Sequence, residues 1–215
     1  MRIIAALAVA TTLAVFGAAS PAHALVVLTF EGVGNTNAVG EFYNGGAGPD
    51  YNISFVDAFG LVDADAGGTG NFGGEPSPST IVLPGVSPMT MNVWDGFYLG
   101  LGFFYTAPFP LTATPPLVAG QVRIWSDADG GGSLLATLNL PPTPFNGAPD
   151  PAGTFSPLVP IVVLFDGTAR SATFYGPVNF IGFDDITLVP VPEPSALLFL
   201  GAGLATLALR RKLKA

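Results

Sequence analysis

The sequence predicts an all-β fold over residues 25–190, an antiparallel two-sheet β-sandwich of jelly-roll type. Three observations predict it. Short segments rich in Val, Ile, Phe, Tyr and Thr recur through this stretch, and clusters of the chain's 28 Gly and 21 Pro punctuate them. No window there carries the 3.6-residue period of an amphipathic helix. Many short strands joined by Gly/Pro turns leave no room for crossover helices, so the pairing is antiparallel and the strands close into a sandwich or barrel. The segment is long enough for one domain with a real core, and no internal repeat or linker divides it.

Taken in order, strands are expected at 25–30, 51–56, 80–83, 89–94, 97–106, 121–126, 134–140, 160–165, 169–175 and 178–188. Residues 34–50 and 63–79 read as loops, and 141–160, with seven prolines, as a third long excursion. In the segment FYLGLGFFY, alternation puts Phe97, Leu99, Leu101, Phe103 and Tyr105 on one face, the expected core side. Tyr98, Gly100, Gly102 and Phe104 face the other way, where two glycines fit tight sheet packing or, alternatively, admit a ligand or another backbone.

Composition narrows the chemistry. Residues 25–190 hold 14 Asp and Glu against only Arg123 and Arg170, a net charge of −12. Such a surface repels nucleic acid and suits solubility or divalent cations. The segment has no Cys, no Lys and no His, since His23 lies before it. That excludes disulfides, Ser-His-Asp and Cys-His machinery, His-ligated metals and Schiff-base lysines. Carboxylate chemistry, as in glycoside hydrolysis, and oxygen-ligated calcium survive.

Two Asp-rich loops open like calcium loops, but Asp127-Ala128-Asp129-Gly130 meets Leu138 and Asp63-Ala64-Asp65 meets Gly74 where an EF-hand needs its bidentate Glu. An Asp-Gly turn between strands accounts for the first. Asp184-Asp185 is the more informative pair. If Phe180, Ile186 and Leu188 face the core, Asp184 joins them; if Ile181 and Phe183 do, Asp185 does. Either way one carboxylate sits among apolar neighbours and needs hydrogen bonds, a proton or a metal. Glu31 follows the first strand, and first and last strands often pair in sandwiches. A structural calcium held by Glu31 with Asp184 or Asp185 is therefore one expectation, and hydrogen bonding of the same acids is the other. Trp94, Trp125 and Tyr43 are the candidate sugar-stacking aromatics, each with a packing role as its alternative.

Both ends read as sorting signals. Residues 1–24 have a basic Arg2, an apolar run over 3–17 and an Ala22-His23-Ala24 cleavage site, so signal peptidase is expected to leave Leu25 as the mature N-terminus. Residues 191–215 comprise Pro192-Glu193-Pro194, an uncharged run over 195–209, and a basic tail over 210–215 with Arg210, Arg211, Lys212 and Lys214. As a helix the run spans roughly 22 Å, a short membrane span, and the cations stay cytoplasmic, with everything before it outside.

This tripartite tail resembles the PEP-CTERM sorting signal of Gram-negative bacteria, on the residues Pro192, Glu193, Pro194, Arg210 and Arg211. The resemblance implies processing by an exosortase, transient anchoring in the membrane and delivery to the cell surface or extracellular matrix. LTFEGVG, VRIWSDADGGGSLLATLNL and FDGTARSATFYGPVNFIGFDDITL also resemble exported domains that precede such tails, which implies a galactose-binding-like or lectin-like jelly roll, a fold with structural calcium at the Glu31 corner in related domains. The expected role is structural or adhesive and non-catalytic. The runner-up is a carbohydrate-binding module for exopolysaccharide, and the third reading is a carboxylate-based glycoside hydrolase. Aromatics ringing a groove favour the second; two facing acids in a deep cleft favour the third.

Overall fold

In the computed structural model, residues 25–112, 114, 116–145 and 153–190 are described. The expectations for the signal peptide, for Ala22 and Ala24, for the sorting residues, for the membrane helix over 195–209 and for the basic tail all lie outside them. Leu25, the expected mature N-terminus, is exposed. Among the described residues no helix is long and apolar enough to cross a membrane.

The described chain is all-β. Nine strands run in the order β1 (Val26–Leu28), β2 (Ile53–Val56), β3 (Ala58–Val62), β4 (Thr80–Pro84), β5 (Met89–Thr106), β6 (Gly120–Trp125), β7 (Leu134–Leu140), β8 (Val159–Tyr175) and β9 (Gly182–Pro190), and the helical content is one 3-10 turn, Ala128–Gly130. Every strand pairing is antiparallel. Expected pairs of strands merge, 89–94 with 97–106 into β5 and 160–165 with 169–175 into β8. The Gly punctuation at Gly96 (φ 83°) and Gly167 (φ 88°) marks irregularities within long strands rather than chain reversals. β3 escaped the sequence reading because AFGLV follows β2 after a single residue, Asp57, itself at φ 54°.

The two long strands organise the rest. The first part of β5 pairs with β2 and with the last part of β8, which in turn pairs with β6 and then β7. The second part of β5 pairs with β9 and with the first part of β8; β1 and β4 lie beyond β9, and β3 beyond β4. Phe174 belongs to the first group, Phe103 and Phe183 to the second, yet their rings meet edge-on at 5.0–5.8 Å. The two groups therefore face each other across one core, which also holds Leu28, Met89, Met91, Val122 and Ile186.

The predicted core face of β5 holds for Phe97, Leu101, Phe103 and Tyr105, all buried, but not for Leu99, which is 61% exposed. A register shift between Tyr98 and Gly100 places Leu99 at φ 70°, and the extra residue turns its side chain outward. The opposite face of β5 carries its own apolar cluster: Phe104 packs beside Phe72, Ile81 and Leu158, and loop residues cover it.

Candidate functional site

Two sites emerge, an acidic corner and an uncharged pocket. The corner forms where β9 changes phase. Before Asp184 the buried residues are Ile181 and Phe183; after Asp185 they are Ile186 and Leu188. Asp185 sits at φ 46°, an irregularity that joins the two registers the alternation left open. Asp184 is fully buried, while Asp185 is half-buried and Phe180 exposed.

Loop 63–79 is stitched to this corner. Ser77 Oγ lies 2.9 and 2.8 Å from the two carboxyl oxygens of Asp184 and 3.1 Å from the Thr29 carbonyl, and the Asp185 amide donates to Asp184 at 2.7 Å. One hydroxyl hydrogen cannot serve three acceptors. A protonated Asp184 resolves the conflict by donating to Ser77 Oγ, which then donates to Thr29. Burial pushes the Asp184 carboxyl up to about 7, against the lowering effect of the Ser77 and Asp185 donors. Burial also raises Asp185, opposed by Ser77, with the Glu31 charge adding to the rise. Glu31 accepts from the Ser79 and Thr80 amides at 3.0 and 2.8 Å and from the Ser79 hydroxyl at 2.9 Å. Its requirements are thus met by a strand entrance. Asp185 Oδ1 is the one acidic oxygen of this corner that is buried without a hydrogen-bond partner. Among the described residues no group of three or more acidic side chains is arranged to hold a metal ion.

The other acidic motifs resolve into turn chemistry. Asp129, at φ 56°, is held by both ends of the Asn92 amide, at 2.7 and 2.8 Å, and Ser171 Oγ donates to the Asp127 carbonyl. Asp63 and Asp65 border, with Glu75, an open hollow of about 450 Å³.

The pocket lies on the outer side of β4, β5 and β9 and has a volume of about 310 Å³. Its floor is Phe72, Ile81, Ile181 and Thr106, all buried, and its half-buried wall includes Leu61, Leu83 and Phe155. Thr36, Thr69, Asn71, Asn179 and Phe180 form an exposed rim. No lining residue is titratable. Three distant segments meet here: the Phe155 amide donates to the Asn71 carbonyl at 2.9 Å, Phe72 and Phe155 form a β-bridge, and a turn places Phe180 by donating its amide to Pro177. Rings of Phe109, Phe145, Phe155 and Phe180 contact one another at 5.3–6.1 Å, and Phe109, Phe145 and Phe180 are each more than 40% exposed. Gly182 keeps the floor open, since a Cβ there would lie 2.6 Å from Ile81 Cδ1.

The aromatics named from sequence take other positions. Tyr43 is buried and its hydroxyl accepts the Phe30 amide at 2.7 Å; Trp125 donates to Thr173; Trp94 is half-exposed on β5, and Arg170 donates to its carbonyl. The phenylalanines at the pocket were missed because nothing local distinguishes an exposed Phe from a core Phe.

Residues 190–212 match the family model described as the PEP-CTERM protein-sorting motif. The chain carries a PEP-CTERM sorting tail. A tail of this kind marks an exported, membrane-transiting protein and implies exosortase processing. No curated protein matches the chain in sequence. Among solved structures it is similar to a carbohydrate-binding module from Cellvibrio mixtus lichenase 5A, solved with cellotriose, at 11% identity and a TM-score of 0.33, over 65% of this chain and 91% of that one.

Proposed function

We propose that this PEP-CTERM protein is a non-catalytic surface or extracellular-matrix component that binds a neutral exopolysaccharide in its phenylalanine-lined pocket. The observation that carries the reading is the lining itself: two phenylalanine rings at the mouth, amides and hydroxyls on the rim, and no charge. Sugar rings stack their C–H faces on aromatic rings and pair their hydroxyls with amides and hydroxyls, whereas a glycosidase needs two carboxylates at the scissile bond. The weight therefore moves from a purely structural role to the carbohydrate-binding reading, on a jelly-roll sandwich. Signal peptidase and exosortase are the processing partners, and the uncharged run over 195–209 serves as the membrane anchor before processing.

A glycan array followed by calorimetry on the purified protein tests this. Phe155→Ala and Phe180→Ala are each expected to weaken glycan binding by about tenfold or more. Phe180→Ala should leave stability within about 1 kcal/mol, because the ring is already half in water. Binding that survives the double substitution would remove the pocket from the account.

A structural calcium is proposed at the acidic corner, entering through Asp185 Oδ1. The expected sign is a higher Tm in millimolar calcium than in chelator or magnesium, lost in Asp185→Asn; at 100 times Kd the gain is about 2.7 kcal/mol. Superposable unfolding curves would leave Glu31, Asp184 and Asp185 as hydrogen-bonded acids only.

A further inference from the structure

We propose that the outer sheet face beside the exit of the sorting tail is an interface with a second copy of this chain. The strand registers assemble that face. Val27 lies opposite Thr187, Thr187 opposite Gly102, and Gly102 opposite Val162, a row across β1, β9, β5 and β8 of roughly 14 Å. Thr187 stands between the buried Ile186 and Leu188, so the row points away from the core. Alternation from Val27 brings Leu25 to the same face, and Leu164 joins it opposite Gly100. Leu99 belongs there too: β5 is flanked by β8 and β9, so an exposed side chain on it projects from the outer face. Leu25, Val27, Leu99, Val162 and Leu164 are 39–72% exposed, and none is charged.

Two features of this face call for a partner. Leu99 holds a left-handed backbone, φ 70°, which is unfavourable for leucine, and its side chain is 61% exposed, so packing within one copy does not offset the strain. Gly102 has no left-handed φ to require glycine, and a Cβ there would meet no heavy atom closer than 3.9 Å. Its bare backbone leaves a notch between Val162 and Thr187, open to a protruding side chain such as the partner's Leu99.

Three observations select a second copy. Five residues this exposed present roughly 500 Å² of apolar surface, large for a monomer. Two such faces together bury roughly 1,000 Å², the level at which specific interfaces begin. Residues 25–190 carry a net charge of −12, so copies repel least where they meet through an uncharged face. β9 ends at Pro190, and the uncharged run begins at Ser195, at most roughly 18 Å further along the chain. Copies anchored by that run in one membrane hold this face at the same height. The pocket, at the Thr106 and Gly182 end of β5 and β9, stays open in the pair.

The chain contains no cysteine, so a single introduced one reports cleanly. Full-length Val162→Cys in lipid vesicles is treated with a bifunctional maleimide, and Thr137→Cys, exposed on β7 of the other sheet, is the control. A crosslinked dimer is expected from position 162 and not from position 137. Adding Leu99→Asn should cut its yield several-fold while Tm holds or rises, since asparagine tolerates the left-handed backbone. Leu164→Thr should also cut the yield. No dimer from position 162, equal dimer from position 137, or a yield untouched by Leu99→Asn would overturn the interface. So would a cysteine at 162 that resists a monofunctional maleimide in the monomer, which would mean that the chain's own tail covers the face. A polarity-sensitive dye at 162 that reports lipid at every protein density would assign the face to the bilayer instead.

Discussion

Raising the pH from about 4 to about 7.5 is expected to destabilise this fold by roughly 4 kcal/mol through one residue, Asp184. The carboxyl titrates near its ordinary value of 3.8 in the unfolded chain and at about 7 in the folded one, with burial as the leading cause. Between those values the native state keeps a proton that the unfolded state has lost. Stability therefore falls as pH rises through the window, and the difference is complete above it. At about 1.4 kcal/mol per pH unit the sum is roughly 4 kcal/mol. Asp185 shifts in the same direction and adds to the same sign. Chemical denaturation at a series of pH values measures the slope. Asp184→Asn, which stays neutral throughout, should remove most of it. A flat or rising profile in the unsubstituted protein, or an undiminished slope in Asp184→Asn, would show that Asp184 is ionised in place and held by its donors. A bound calcium would also suppress the slope, so the series is run in chelator.

Phe183→Ala should be the most damaging single truncation, at about 3–5 kcal/mol. Phe183 is fully buried and meets Phe103 at 5.6 Å and Phe174 at 5.0 Å, both edge-on. Those rings belong to β5 and β8, so the cavity would open where the two sheet groups touch. Urea unfolding should show a lower midpoint with little change of slope. If the alanine variant does not fold, Phe183→Leu, expected to cost less, reports on the same contact. A loss below 1 kcal/mol for the alanine would mean that the layers are joined elsewhere. Phe180, three residues away, sets the contrast: its loss should spare the fold and damage binding.

Much of the architecture was legible in the sequence because its cause is local. Apolar alternation and Gly/Pro spacing identify β6, β7 and most of β9 without any partner, and the absence of His, Cys and Lys removes whole classes of chemistry before a structure is seen. The sorting tail is read the same way, since motif, apolar run and basic end are contiguous. The burial of Asp184 was half-legible. Alternation demanded one inward carboxylate, but the choice was made by an irregularity at Asp185 that belongs to pairing with β5 and has no signature in the pair of aspartates. The same holds for Leu99, which a strict period of two assigns to the core and a register shift expels. The pocket was not legible at all. Its floor comes from β4, β5, Ile181 just before β9 and Phe72 in the loop before β4, its wall partly from Phe155 in the proline-rich excursion, and its rim from Asn71 and Phe180 in loops. A residue's own neighbours in sequence decide whether it extends into a strand; whether Thr106 faces solvent, a core or a cavity depends on which distant loops settle over its strand, and only long-range packing decides that.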